Sequence, residues 1–176
     1  MSANLVNIII GFILIILMNM VSIYFFLDFF IKLKKIRKIK TEDFYLNIRV
    51  LNFFLISFLL LLPILLLISV ILFILSLTFF RTIGYIYIIF TCFYFLDCIF
   101  IFSLIIKLNL YQRSIFLLKF ENKIVLIDEI IDISKIKEIS NDLKRKSIFI
   151  RFLNDKNEQE FLKLKYNWKL KDWIYK

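Results

Sequence analysis

Long apolar runs separated by short polar segments dominate the first two thirds of the chain. Three runs, residues 5–31, 50–80 and 83–106, each contain at most one charged residue. An α-helix needs about 20 apolar residues to cross a hydrocarbon core about 30 Å thick. Each run exceeds that length, so the pattern predicts three transmembrane helices in a membrane domain that covers residues 1–106.

The first run is expected to be a retained span. It is too long for the apolar core of a secretory signal peptide, which has about 7–15 residues. Its apolar residues surround the predicted helix, whereas a helix that lies flat at the membrane surface has one polar face. Hydrophobic residues make up 61% of the whole chain, against about 45–50% in soluble domains, which also favours a membrane protein.

After residue 106 the apolar residues alternate with polar ones, and residues 107–176, the tail, are predicted to form a small cytoplasmic β-rich (α+β) domain. Strands are expected at 114–120, 123–130, 147–153 and 160–166. Ile133, Ile136 and Ile139 recur every third residue, which indicates a short turn or an irregular strand, and 141–146 is expected to be a charged loop. The last segment, 166–176, has helical periodicity and ends the domain as an amphipathic helix. Its apolar face would contain Tyr166, Leu170, Trp173 and Ile174.

The charges between the first two predicted spans indicate an orientation. Residues 32–49 contain seven Lys and Arg residues against Glu42 and Asp43, and most of the remaining cations lie in the tail. Cytoplasmic loops of membrane proteins are rich in Lys and Arg. Three crossings then place the N-terminus outside and the C-terminus inside, and we expect a multi-pass protein of the bacterial inner (cytoplasmic) membrane.

A few polar residues lie within the predicted spans. A charged Asp97 carboxylate would be energetically unfavourable at that depth, so this side chain is expected to be protonated and hydrogen-bonded. Matching depths along the three helices predicts an intramembrane polar layer of Asn19, Ser22, Asp97 and the backbone freed by Pro63. This layer would either relay protons or ions or join the helices through hydrogen bonds. The presence of a single acid favours the hydrogen-bonding role. Asp28 is expected to form a local salt bridge with Lys32, four residues later.

Cations and aromatic residues near the predicted membrane surface suggest contact with anionic lipid headgroups. The proposed contact residues are Lys32, Lys34, Lys35, Arg37, Lys38, Lys40, Trp168, Lys169, Lys171 and Trp173. The alternative for the two tryptophans is that their segment packs on the tail's own core. Nucleic acid is not an expected partner, because acids are interspersed among the tail's lysines and the membrane lies next to the tail.

The residue types do not favour catalysis. The chain contains no histidine, which is the commonest general base and metal ligand. Its two glycines cannot form a glycine-rich phosphate loop. Asp128, Glu129 and Asp132 could bind a cation, although a solvated acidic face is the simpler interpretation. We therefore expect no enzyme, no catalytic or metal site and no cofactor.

The order of elements in the tail resembles that of bacterial pleckstrin-homology-like domains that follow short membrane hairpins. The resemblance is carried by residues 114–120, by 130–139 and by 147–153 with the hairpin that follows. It implies a docking or scaffold role rather than a catalytic one. The tail is short for this family, whose domains usually have about seven strands and a helix.

These observations predict a non-enzymatic integral membrane protein whose small basic cytoplasmic domain docks on lipid or on a protein partner. Such a protein would serve as an accessory or scaffold subunit, or as an immunity protein that neutralises a membrane-active toxin. Its partners would be the bilayer, anionic headgroups, and either another protein or further copies of the chain. The alternative is an oligomeric pore-forming or membrane-disrupting effector.

Overall fold

The computed structural model describes residues 3–39, 41, 43–79, 84–154 and 156–175. In these residues the helices are α1 (Ala3–Ile36), α2 (Ile48–Ile56), α3 (Leu62–Thr78), α4 (Gly84–Ile115) and α5 (Trp168–Tyr175). The strands are β1 (Phe44–Leu46), β2 (Phe116–Phe120), β3 (Lys123–Val125), β4 (Ile130–Asp132), β5 (Ile136–Asp142), β6 (Ser147–Leu153) and β7 (Gln159–Lys165). A π-turn (Ser57–Leu61) joins α2 to α3, and a 3-10 turn (Ile133–Lys135) precedes β5.

Three helices are long and apolar enough to cross a membrane, which confirms the predicted number. They cover Leu5–Ile36, Ile48–Thr78 and Tyr85–Ile115, where α2 and α3 count as one helix. Their 31 or 32 residues correspond to about 46 Å at 1.5 Å per residue, well beyond the hydrocarbon thickness. The predicted start of the third span at Ile83 lies outside the described residues.

The first and third helices continue past their predicted ends at Ile31 and Ile106. The added turns keep an apolar stripe, since Leu33 and Leu108 are almost fully buried. Leu, Lys and Ile tolerate the helical backbone well, so nothing in these turns stops the helix.

The chain divides into two compact units. Unit 1 comprises Met1–Leu27 and Asn52–Lys107, and unit 2 comprises Asp28–Leu51 and Leu108–Lys176. Unit 2 is therefore larger than the tail alone. It includes the end of α1, the start of α2 and the end of α4, together with the segment between the first two long helices.

Unit 1 has an aromatic interior. The ring of Phe12 stacks on Phe73 with centroids 4.0 Å apart, and Phe26 stacks on Phe58 at 4.4 Å. Many outward side chains of the same helices are large and apolar. An apolar surface of this extent is unfavourable in water and matches a lipid environment.

Unit 2 contains two antiparallel sheets, with strand orders β1-β2-β3-β4 and β5-β6-β7. The short strand β1 lies in the segment that the charges identified as a loop, and it pairs with β2 so that Tyr45 is opposite Leu117. Backbone hydrogen bonds extend this pairing at both ends. The Asn47 amide donates to the Ile115 carbonyl at 2.8 Å, and the Lys119 amide donates to the Asp43 carbonyl at 2.9 Å.

Several predicted strand boundaries were wrong. The expected strand at 123–130 is two strands, β3 and β4, because the chain reverses between them and the Leu126 amide bonds the Glu129 carbonyl at 2.8 Å. Residues 114 and 115 end α4 instead of opening β2, and residues 141 and 142 belong to β5 rather than to a loop. The Ile133–Ile139 segment contains both expected forms, a 3-10 turn and then a strand with a bulge.

The core of unit 2 lies between the sheets and α5. Leu117, Ile150 and Leu164 are fully buried, as are Leu170 and nearly all of Ile174 on α5. Trp173 and Tyr166 pack partly against the same cluster. The predicted apolar face is therefore confirmed for Leu170, Trp173 and Ile174, whereas Tyr166 precedes α5, which begins at Trp168.

Tyr45 gives unit 2 a dependence on alkaline pH. Burial raises the pKa of its hydroxyl from 10.0 to about 12. Above pH 10 the Tyr45 hydroxyl ionises in the unfolded chain before it ionises in the folded chain. Its contribution to the free energy of unfolding is therefore fully present below pH 10 and should be lost between pH 10 and pH 12. Tyr45→Phe should move the alkaline unfolding of the full-length protein to higher pH. The measurement is the tryptophan emission maximum, because both tryptophans lie in α5.

The control variant is Tyr85→Phe, which removes an exposed phenol from α4. It should leave the alkaline midpoint unchanged. Equal shifts in the two variants would contradict the role given to Tyr45.

Candidate functional site

The structure buries three of the predicted polar-layer side chains inside unit 1. Asn19 and Ser22 on α1 are 3% and 0% exposed, and Asp97 on α4 is 2% exposed. Residues three apart share one face of a helix, so Asn19 and Ser22 point inward together. The Asn19 amide lies near the Asp97 carboxyl.

The hydrogen bonds of this group are incomplete among the described residues. Asn19 donates its amide Nδ2–H to the Ile15 carbonyl at 2.9 Å. Asn19 Oδ1, Asp97 Oδ2 and Ser22 Oγ are buried without a partner in the described part of the chain. Two of these atoms, the amide and carboxyl oxygens, accept hydrogen bonds only. A protonated Asp97 would carry an O–H donor for one of these acceptors.

Pro63 is positioned differently from the other three. Its side chain is exposed, as is that of Leu59, one turn earlier. The backbone adapts before the proline through the π-turn, in which the Leu62 amide bonds the Ser57 carbonyl. A π-turn is one of the local adjustments that re-satisfy backbone groups near a membrane proline. The structure therefore places Pro63 on the outer surface of its helix and brings Asn19 near Asp97.

The predicted basic surface begins at the end of α1. Lys32 forms the expected salt bridge with Asp28 at 2.7 Å and a second one with Asp128 at 3.4 Å. This prediction is confirmed, and Lys32 is consequently neutralised by two carboxylates. Four further cations of the segment are exposed, namely Lys34, Lys35, Arg37 and Lys38. Lys40 lies outside the described residues.

The two tryptophans of α5 have different environments. The indole N–H of Trp173 donates to Asp43 Oδ1, and the Lys119 ammonium lies 4.8 Å from its ring centroid. Trp173 thus packs on unit 2, as one of the two alternatives proposed. Trp168 is 62% exposed, and its neighbour Lys169 is exposed as well. Lys171 is half-buried.

Several acidic residues of the tail lie beside cations. Asp132 lies 3.5 Å from the Lys135 ammonium and 3.9 Å from that of Lys123, and Asp128 pairs with Lys32. Burial raises the pKa of Glu129, and the nearby charges of Glu160 and Asp128 act in the same direction. No group of three or more metal-ligating side chains occurs in the residues that the structure covers.

Comparisons with known proteins give no assignment. No protein-family model, no curated protein and no solved structure matches the chain significantly.

The environment of Asp97 predicts which substitutions are tolerated. Asn keeps the size of Asp and can donate a hydrogen bond, so Asp97→Asn should unfold at nearly the wild-type SDS concentration. Asp97→Ala removes the polar group and should cost about 1–2 kcal/mol, the range for hydrogen bonds between membrane helices. The measurement is helicity by circular dichroism while SDS is added to the reconstituted protein.

Ser103→Ala, at an exposed position of α4, is the control and should have no effect. If Asp97→Asn were as unstable as Asp97→Ala, a hydrogen-bonding role for a neutral side chain would be wrong.

Proposed function

We propose that this chain is a non-enzymatic membrane protein that spans the bilayer three times and presents unit 2 as a docking module on the cytoplasmic membrane surface. One observation carries the proposal: unit 2 incorporates the ends of all three long apolar helices. A soluble domain that is attached to the membrane helices by a flexible linker would form a compact unit without residues of those helices.

The contacts inside unit 2 support this interpretation at three places. The end of α1 is joined to the sheet region by the ion pair of Lys32 with Asp128. The segment before α2 supplies β1, and α4 continues into β2 without an intervening residue. Unit 2 therefore begins at one end of each long apolar helix. In a bilayer, lipid headgroups would lie at that level.

Charge supports the orientation. The exposed cations in the last turn of α1 and just after it belong to unit 2. Cytoplasmic segments next to spans collect Lys and Arg, which favours the N-terminus outside and unit 2 inside. The assignment to a bacterial inner membrane rests on the resemblance of the tail to domains of that setting.

The strand arrangement supports a pleckstrin-homology-like module. Within the described residues, unit 2 has seven strands in sheets of four and three, followed by a C-terminal helix. The tail supplies six of these strands and the segment before α2 supplies the other. The module's ligand would be an anionic membrane surface, contacted by Trp168, Lys169 and the cations in the last turn of α1 and just after it. An accessory, scaffold or immunity-type subunit would use such a surface to position itself on the membrane.

Topology can be tested by cysteine labelling. In a Cys92→Ser/Cys98→Ser background, a cysteine at Asn4 should react with a membrane-impermeant maleimide on intact cells. A cysteine at Lys156, in the turn between β6 and β7, should react only after the cells are opened. Labelling of both positions from outside, or of Lys156 alone, would exclude the proposed orientation.

Docking can be tested with the two tryptophans. The full-length Trp173→Phe variant retains Trp168 as its single emitter, and Trp168→Phe retains Trp173. In vesicles that contain lipids brominated near the headgroup, Trp168 should be quenched strongly and Trp173 weakly, because only Trp168 is exposed. Equal quenching, or none at Trp168, would show that α5 does not meet the membrane. Circular dichroism should first verify that both variants are folded.

A further inference from the structure

Unit 2 contains an open cavity at the junction of β1, α2 and α5. Its volume is about 390 Å³, within the range of about 300–1,000 Å³ that small-molecule sites occupy. The lining residues come from two short segments of the chain: Tyr45, Leu46, Asn47, Ile48 and Arg49, and Asn167, Trp168 and Lys169.

The cavity is positively charged. Arg49 and Lys169 contribute a guanidinium and an ammonium, and none of the described residues that line it is acidic. Neither cation forms an ion pair with any residue that the structure describes. The Lys169 ammonium instead lies 5.4 Å from the ring centroid of Trp168. Both cations are solvent-exposed, and two positive charges that share a cavity without a described carboxylate favour an anion there.

The polar groups around the cavity also favour an anion. The Asn47 and Asn167 side-chain oxygens accept bonds from the Val50 amide at 3.3 Å and the Lys169 amide at 2.9 Å. These acceptors are therefore already occupied. Helices α2 and α5 both begin at the cavity, and the positive ends of their dipoles add to the two cations.

The cavity lies next to the predicted headgroup level. Ile48 and Arg49 open the 31-residue apolar helix that ends at Thr78. Ile48 and Trp168 expose 59% and 62% of their surfaces beside the cations. An apolar residue and an indole next to two cations match a ligand that has an anionic head joined to an apolar body.

We propose that this cavity binds the phosphate of an anionic phospholipid headgroup. Arg49 would hold two phosphate oxygens through its planar fork, Lys169 would add a second positive charge, and Trp168 would contact the region below the headgroup. The inference rests on the proposed membrane docking of unit 2 and adds a specific site and ligand class to it.

The test uses the full-length Trp173→Phe protein in phosphatidylcholine vesicles. Brominated phosphatidylglycerol replaces the phosphatidylcholine stepwise, and the quenching of Trp168 is recorded. One cation near an anionic surface strengthens binding about fivefold. Arg49→Gln/Lys169→Gln should therefore raise the phosphatidylglycerol fraction at half-maximal quenching about tenfold or more.

The matched control is Lys144→Gln/Arg145→Gln, which removes the same two charge types from the exposed turn between β5 and β6. Its half-maximal fraction should change less than about twofold, since any change there reflects only the general surface potential. Equal shifts in the two double variants would overturn the specific site.

Two further arms separate the sources of failure. If inorganic phosphate, at matched ionic strength, displaced the brominated lipid, the site would be one for soluble phosphate and the lipid assignment would be wrong. If brominated phosphatidylcholine and phosphatidylglycerol both failed to quench Trp168, the docking function itself would fail. Quenching that persists unchanged in Arg49→Gln/Lys169→Gln would leave docking intact and refute only this site.

Discussion

The edge of a β-sheet carries unpaired N–H and C=O groups, and these need partners wherever water cannot reach them. In unit 2 the outer edge of β2 is paired by β1, a strand of three residues supplied by the segment between the first two long helices. Leu117 and Leu118 on β2 are fully buried, so an unpaired β2 edge would be costly. The sheet is therefore complete only when parts of the chain on either side of the second and third long helices have come together. This requirement ties the folding of unit 2 to the folding of the apolar helices between β1 and β2.

The sequence predicts the elements whose signal is local. Three apolar runs of sufficient length are visible directly in the sequence. Strand β6 is predicted by its run of alternating residues, which are buried and half-buried in the structure. The strand β1 has no comparable signal, because three residues cannot establish a period of two. Its Phe-Tyr-Leu triplet within a charged segment is the only hint, and the strand forms because β2, far along the chain, provides its partner. The sequence does not predict the division of 123–130 into β3 and β4 for a similar reason, since a continuous apolar run does not reveal where the chain reverses.

The polar positions show the same division. Burial of Asn19, Ser22 and Asp97 was predictable, because lipid makes an outward-facing polar side chain expensive. The direction of Pro63 was not, since depth along a helix gives no information about its face. Arg49 was counted among the loop cations but not selected as a site residue. Its place in the cavity depends on the start of α5 lying beside the start of α2, and neither segment encodes that proximity alone.

The net charge of +10 is a poor guide to where unit 2 can bind anions. Lys32 lies between two carboxylates, and Lys119 is directed to the backbone and ring of Trp173. These lysines make contacts within unit 2. Arg49 and Lys169 differ because they share a cavity in which no described lining residue is acidic. The positive potential at a surface arises from such uncompensated cations rather than from the total number of cations, since charges already paired add little potential beyond a Debye length of about 10 Å.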